Sequence, residues 1–144
     1  MSDPSPTLIL YPVFAMFLLV AVVLSRLRRM RFAAVRKGDV KASFYRAYPE
    51  GGEPEVLRVV SRHFTNLFEM PVLFYVGVIL TYVTHQVSWW MIGLAWGYVV
   101  LRYLHSWVHL TGNDVRTRFT VYFASAFVLL LMWASLFVRL VRAG

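Results

Sequence analysis

The chain has 144 residues and a mean hydropathy of +0.60, and 59% of its residues are hydrophobic, more than the 45–50% or so of ordinary soluble domains. It contains no cysteine, which excludes disulfides and thiolate-ligated metals. The net charge is +8, but the basic residues cluster beside apolar segments, which favours lipid headgroups as partners over nucleic acid. The composition therefore predicts a single membrane domain over residues 1–144.

The first predicted membrane span covers residues 8–25, which carry no charge. Residues 26–55 then form a basic loop, with eight arginines and lysines against one acid up to residue 46. We expect the helix to continue out of the bilayer to Lys37, where Gly38 offers a C-cap. The charge bias places this loop on the cytoplasmic side.

Three further spans are predicted, over residues 56–84, 89–110 and 116–138. The second is longer than one crossing and contains Pro71, which should kink it near the middle of the membrane. Gly93 and Gly97 in the third form a G-x-x-x-G pattern, which permits close helix approach. The fold class is therefore an all-α membrane protein, a four-transmembrane-helix bundle with both termini outside the cytoplasm.

The second span carries polar residues on one helical face, because Arg58, Arg62, Asn66 and Glu69 are spaced by four, four and three residues. Ionisable residues within a membrane span are costly, so they mark a function or a buried pairing. His63 lies off this face and is expected at the membrane interface. Asn66 could alternatively serve only to bond a neighbouring helix.

The third and fourth spans supply polar residues at the same depth, namely Arg102, His105 and His109, followed by Arg118 and Tyr122. Glu69 is the only acid in any span, and we expect a structural ion pair with Arg102. One carboxylate leaves a surplus of about two positive charges, which favours an anionic ligand bearing carboxylates. A metal site is disfavoured because the arginines repel a cation.

These residues resemble the MAPEG family, the membrane-associated proteins of eicosanoid and glutathione metabolism. The family pattern R-x-x-x-N-x-x-E is matched by Arg62, Asn66 and Glu69, and its arginine-histidine pair by Arg102 and His105. The arginine that opens the fourth helix, and the tyrosine after it, are matched by Arg118 and Tyr122. The resemblance covers nearly the whole chain.

The resemblance implies a homotrimer with glutathione bound between protomers and a lipophilic electrophile entering from the bilayer. It assigns the thiol-activating, catalytic role to Arg118. It assigns glutathione binding to six further residues, Arg62, Asn66, Glu69, His105, His109 and Tyr122. The expected activity is that of a glutathione-dependent transferase or peroxidase in a bacterial inner membrane.

Three positions depart from the pattern of the family's prostaglandin synthase, where Thr65 replaces an arginine, His109 a tyrosine and Phe119 a serine. The alternative function is therefore a non-enzymatic membrane protein that binds lipid or serves as a scaffold or partner subunit. A proton or ion pathway through Glu69 and the histidines is a third possibility, which the surplus of arginines disfavours.

Overall fold

The computed structural model describes residues 3–47 and 52–143, which form helices joined by short turns. A 3-10 turn, Pro6–Leu10, leads into the first helix. Six α-helices follow: α1 Tyr11–Lys37, α2 Phe44–Ala47, α3 Glu55–Asn66, α4 Met70–Val83, α5 Trp89–Leu110 and α6 Val115–Ala143. Residues 48–51 of the predicted basic loop lie outside the described residues.

Three helical segments are long and apolar enough to cross a membrane, namely Pro6–Lys37, Glu55–Val83 and Val115–Ala143. The expected all-helical membrane fold is confirmed. The α5 helix is not among these segments, although its 22 residues reach about 33 Å. Its tryptophans, histidines and Arg102 lower its hydropathy, and the bundle buries much of its surface, so α5 depends less on lipid contact than the other three.

The core of the bundle surrounds α5. Met91, Ala95 and Tyr98 on this helix are fully buried, and the Tyr98 ring stacks on Phe74 of α4 with 4.7 Å between centroids. Met16 of α1 belongs to the same core cluster. Helix α1 ends at Lys37, as expected. Gly38 follows in a left-handed conformation (φ 82°), and its N–H donates to the carbonyls of Ala34 and Val35.

The second predicted span is broken into two helices, whereas the sequence predicted only a kink. Helix α3 ends at Asn66 and α4 begins at Met70, with turn geometry over the three residues between them. The interruption precedes Pro71, whose ring nitrogen cannot donate to the Leu67 carbonyl. The chain tightens there instead, with Phe68 N bonded to Thr65 O at 2.9 Å and Val72 N to Glu69 O at 3.3 Å.

This break holds the buried side chain of Arg102, which is 0% exposed. Arg102 Nη2 donates to Asn66 Oδ1 at 2.6 Å and to the Asn66 carbonyl at 3.5 Å. Asn66 Nδ2 donates in turn to Glu69 Oε2 at 2.9 Å. The predicted direct ion pair between Glu69 and Arg102 is wrong, because the amide of Asn66 lies between the two charges and the break turns Glu69 to the surface. Within the described residues, the ion pair that forms joins Arg31 to Glu53.

Close helix approach occurs at Gly77 rather than at the predicted G-x-x-x-G pair. A Cβ on Gly77 would lie 2.6 Å from Met132 Cε and 3.3 Å from Trp133 Nε1 on α6. A Cβ on Gly93 would meet nothing within 4 Å, and one on Gly97 would lie at an ordinary 3.8 Å from Val128 Cγ1. The Gly93 side of α5 is therefore open in the single chain.

We expect Gly77→Leu to destabilise the protein by about 2 kcal/mol, because it overfills the contact between α4 and α6. Gly93→Leu is the matched control and should change stability by less than about 0.5 kcal/mol. Thermal unfolding in detergent, followed by circular dichroism, compares the two. An equal loss in both variants would mean that the Gly93 face is covered, which would contradict the open face seen here.

We expect Asn66→Ala to destabilise the protein by about 2 kcal/mol, because it leaves a buried guanidinium without its nearest acceptor. Glu69→Gln keeps the bond between Asn66 and Arg102 and should cost clearly less. The same unfolding measurement tests both variants. If Glu69→Gln proves the more damaging, then the charge of Glu69, rather than the Asn66 amide, holds Arg102.

Candidate functional site

A cavity of about 490 Å³ opens beside the break between α3 and α4. Its walls come from α3, the break itself, and the ends of α5 and α6 that face them. The residues that line it are Arg62, Thr65, Asn66, Glu69, His105, His109, Val115, Arg118, Phe119, Tyr122 and Phe123. These include all seven predicted catalytic and glutathione-binding residues, and also the three positions where the sequence departs from the prostaglandin synthase pattern.

Positive charge exceeds negative charge at this cavity. Arg62 and Arg118 line it together with one carboxylate, that of Glu69. Behind the wall, the Arg102 guanidinium lies 5.8 Å from the centroid of the Tyr122 ring. Arg102 Nε and Nη1 are buried and find no hydrogen-bond partner among the described residues. The guanidinium surplus that the sequence predicts is therefore gathered in one place, while Arg58 is exposed and does not line the cavity.

The turn before α6 positions Arg118. Asn113 adopts a left-handed conformation (φ 48°), and its Oδ1 accepts from Arg118 Nη1 at 2.6 Å. Asp114 Oδ2 accepts from Thr117 N at 2.8 Å, which caps the start of the helix. This bond lowers the pKa of Asp114 below its ordinary value. Asp114 thus caps the start of α6, and Asn113 orients the guanidinium of Arg118.

The imidazole of His105 is locked against α6. Its Nδ1 lies 3.3 Å from the Arg118 carbonyl, and its ring packs 5.7 Å from the Tyr122 ring. A carbonyl oxygen only accepts hydrogen bonds, so this contact assigns the proton to Nδ1 and leaves Nε2 as an acceptor. His105 therefore couples the backbone of α6 to the wall of the cavity.

His63 packs next to this cavity, a position that the sequence analysis did not predict. It is 0% exposed within the bundle, with its ring centroid 4.9 Å from that of His109 and 5.8 Å from that of His105. The signal was present, because His63 is three residues after the buried Val60 and four before the buried Leu67, on the apolar face of α3. Both of its ring nitrogens lack a hydrogen-bond partner among the described residues.

The rings of His63, His105 and His109 lie close to one another. Among residues 3–47 and 52–143, no group of three or more histidine, aspartate or glutamate side chains is placed to hold a metal ion. The nearby guanidinium groups of Arg102 and Arg118 also disfavour a cation. The chemistry that the cavity offers is recognition of an anion by arginine, aided by neutral hydrogen-bonding side chains.

The comparison with protein families agrees with a helical membrane fold. The sequence model of the MAPEG family matches residues 8–138, which is most of the chain and includes every residue that lines the cavity. The searches of curated proteins and of solved structures gave no match. The chain therefore belongs to the MAPEG family, and is a helical membrane protein of the family of glutathione and eicosanoid metabolism.

Proposed function

We propose that this protein is a glutathione-dependent transferase or peroxidase that acts on lipophilic electrophiles, with Arg118 as the catalytic residue. The observation that carries the proposal is the single cavity in which all seven predicted catalytic and glutathione-binding residues meet an excess of guanidinium groups. Members of the family generally use glutathione, and its chemistry suits this lining.

The charges of glutathione match those of the cavity. Glutathione has two carboxylates, one ammonium group and a thiol, so its thiolate form carries two net negative charges. Arg62, Arg102 and Arg118 oppose Glu69 at the site, which leaves two net positive charges. In our proposal Arg62 binds a glutathione carboxylate, the exposed Glu69 accepts from the ammonium group, and Asn66, His105, His109 and Tyr122 complete the binding surface.

Arg118 is assigned to the sulfur. Asn113 holds only one of its terminal nitrogens, so other N–H groups of the guanidinium stay available to the ligand. A guanidinium close to a thiol lowers the thiol pKa and stabilises the nucleophilic thiolate at neutral pH. Phe119, which occupies the position of a serine in the prostaglandin synthase pattern, contributes no hydroxyl to this task, so the thiolate depends all the more on Arg118.

The electrophile would enter past an aromatic wall. Phe119 and Phe123 both line the cavity, are 61% and 54% exposed, and pack with 4.3 Å between centroids. Such a wall suits an apolar substrate arriving from lipid.

The thiolate can react in two ways. In transfer, the thiolate forms a bond to an electrophilic carbon, whose leaving group departs with its electron pair. In peroxide reduction, the thiolate attacks the distal oxygen of a hydroperoxide, the O–O bond breaks and an alcohol leaves. The thiol of a second glutathione then attacks the sulfur of the resulting sulfenic acid, which forms the disulfide and releases water.

Assembly and topology form part of the proposal. Arg62, Glu69, Phe119 and Phe123 are exposed in the single chain, so the cavity has room for a neighbouring subunit, as in a homotrimer with glutathione between protomers. We further propose that α5 also crosses the membrane, which makes four crossings. The basic end of α1 then lies in the cytoplasm and both termini lie outside it, in a bacterial inner membrane.

A second candidate function is a non-enzymatic one, in which the same cavity binds a lipid headgroup or the subunit serves as a scaffold. The observation in its favour is that Thr65, His109 and Phe119, which depart from the prostaglandin synthase pattern, all line the cavity. Loss of one arginine and one hydroxyl weakens both the carboxylate grip and the thiolate support.

We expect Arg118→Ala to lower glutathione-conjugating activity by at least about a hundredfold, because it removes the group that stabilises the developing charge. It should also raise the pKa of the bound thiol, so the activity profile moves to higher pH and the ultraviolet absorbance of bound thiolate disappears at neutral pH. Arg116→Ala is the matched control, since Arg116 lies on the same helix, is exposed and does not line the cavity.

Purified protein in detergent is used, with a soluble aromatic halide as electrophile and calorimetry for glutathione binding. Equal activity and equal pH profiles in both variants would contradict the role of Arg118. Absence of both glutathione binding and conjugation in the wild-type protein would favour the second candidate function.

A further inference from the structure

A second cavity, of about 640 Å³, lies at the opposite end of α6 and takes no part in the proposed glutathione chemistry. It is bounded by the turn between α4 and α5, the first residues of α5 and the last turns of α6. The residues that line it are Gln86, Trp90, Leu131, Ala134, Ser135, Val138, Arg139, Arg142 and Ala143. The Trp90 indole N–H donates to Ser135 Oγ at 3.0 Å and so ties α5 to α6 at this end.

The length of α6 can place the arginines of this cavity at the depth of lipid headgroups. Arg118 and Arg139 are 21 positions apart on one continuous helix, which corresponds to about 32 Å along its axis. The hydrocarbon core of a bilayer is about 30 Å thick. Arg118 and Arg139 therefore reach the two opposite faces of that core, and Trp90 beside Ser135 is the residue type that collects at such a boundary.

The positive charge here has no counterpart among the residues that the structure describes. Arg139 and Arg142 form no ion pair with any of these residues, and none of the described residues that line the cavity carries a carboxylate. The two residues are three positions apart, so their like charges face one helix side and repel each other. The helix dipole favours cations at this terminus, but it does not account for a cavity that gathers two guanidinium groups beside Gln86.

Below the charges, the cavity becomes apolar. Leu131, Ala134 and Val138 are spaced by three and four residues, so they form a strip on one face of α6 that runs from the arginines toward the middle of the helix. A guanidinium rim above an apolar strip matches a phosphate above an acyl chain. We propose that this cavity binds an anionic phospholipid, with its phosphodiester between Arg139 and Arg142 and one acyl chain along the strip.

The test uses local photo-crosslinking of the full chain reconstituted in lipid vesicles. Val138, which lines the cavity, is replaced by p-benzoyl-phenylalanine, and Phe137, which is 68% exposed and does not line it, is replaced in the control. Each protein is placed in phosphatidylcholine vesicles with a trace of phosphatidylglycerol or, separately, a trace of labelled phosphatidylcholine. The Arg139→Gln/Arg142→Gln variant is examined in the same way, and circular dichroism checks that it is folded.

We expect position 138 to capture phosphatidylglycerol about thirtyfold more than phosphatidylcholine, because two arginines near the headgroup layer attract the anionic lipid. The double variant should lose this preference, and position 137 should show little preference in any protein. Equal capture of the two lipids at position 138, or a preference that survives in the double variant, would overturn the proposal. So would capture of a second copy of the chain at position 138, or full competition by soluble glycerol phosphate, which would indicate a free phosphate ligand.

Discussion

The buried guanidinium of Arg102 is the constraint around which this bundle is arranged. A cation that is 0% exposed in a membrane protein must receive acceptors from its neighbours, because neither water nor lipid supplies them there. The acceptors come from Asn66, through both its side chain and its carbonyl. That demand joins α5 to the end of α3 and fixes how deep α5 sits between the other helices.

The break between α3 and α4 follows from the same demand. A continuous helix would bond the Asn66 carbonyl to the N–H of residue 70, whereas the tightened turn bonds it to Glu69 N at a long 3.4 Å and leaves it within reach of Arg102. Pro71 makes this arrangement favourable, since it removes a donor from the first turn of α4. The interruption also turns Glu69 outward, so one local feature both satisfies a buried charge and places an acid on the cavity wall.

The sequence predicted which polar residues lie together better than it predicted the contacts between them. Arg62 and Asn66 lie on α3 and Glu69 lies in the break that follows, and all three line one cavity. The partner of Arg102 was not predictable from spacing, because a short amide and a longer carboxylate compete for it and the backbone break decides the outcome. The burial of His63 was not predicted, because its polarity was weighed above its position on the apolar face of α3.

In the fold, too, sequence patterns predicted the helices but not the contacts between them. Hydropathy detects helices that face lipid, and it therefore finds three segments and passes over α5, whose polar side chains are covered by the other helices. The G-x-x-x-G pattern in α5 predicted a contact that Gly77 makes instead, since spacing alone does not tell which face a neighbour will occupy. Packing also decides which polar groups are covered. The bundle buries three histidines and the guanidinium of Arg102, whereas Arg62 and Glu69 on the cavity wall stay exposed in the single chain.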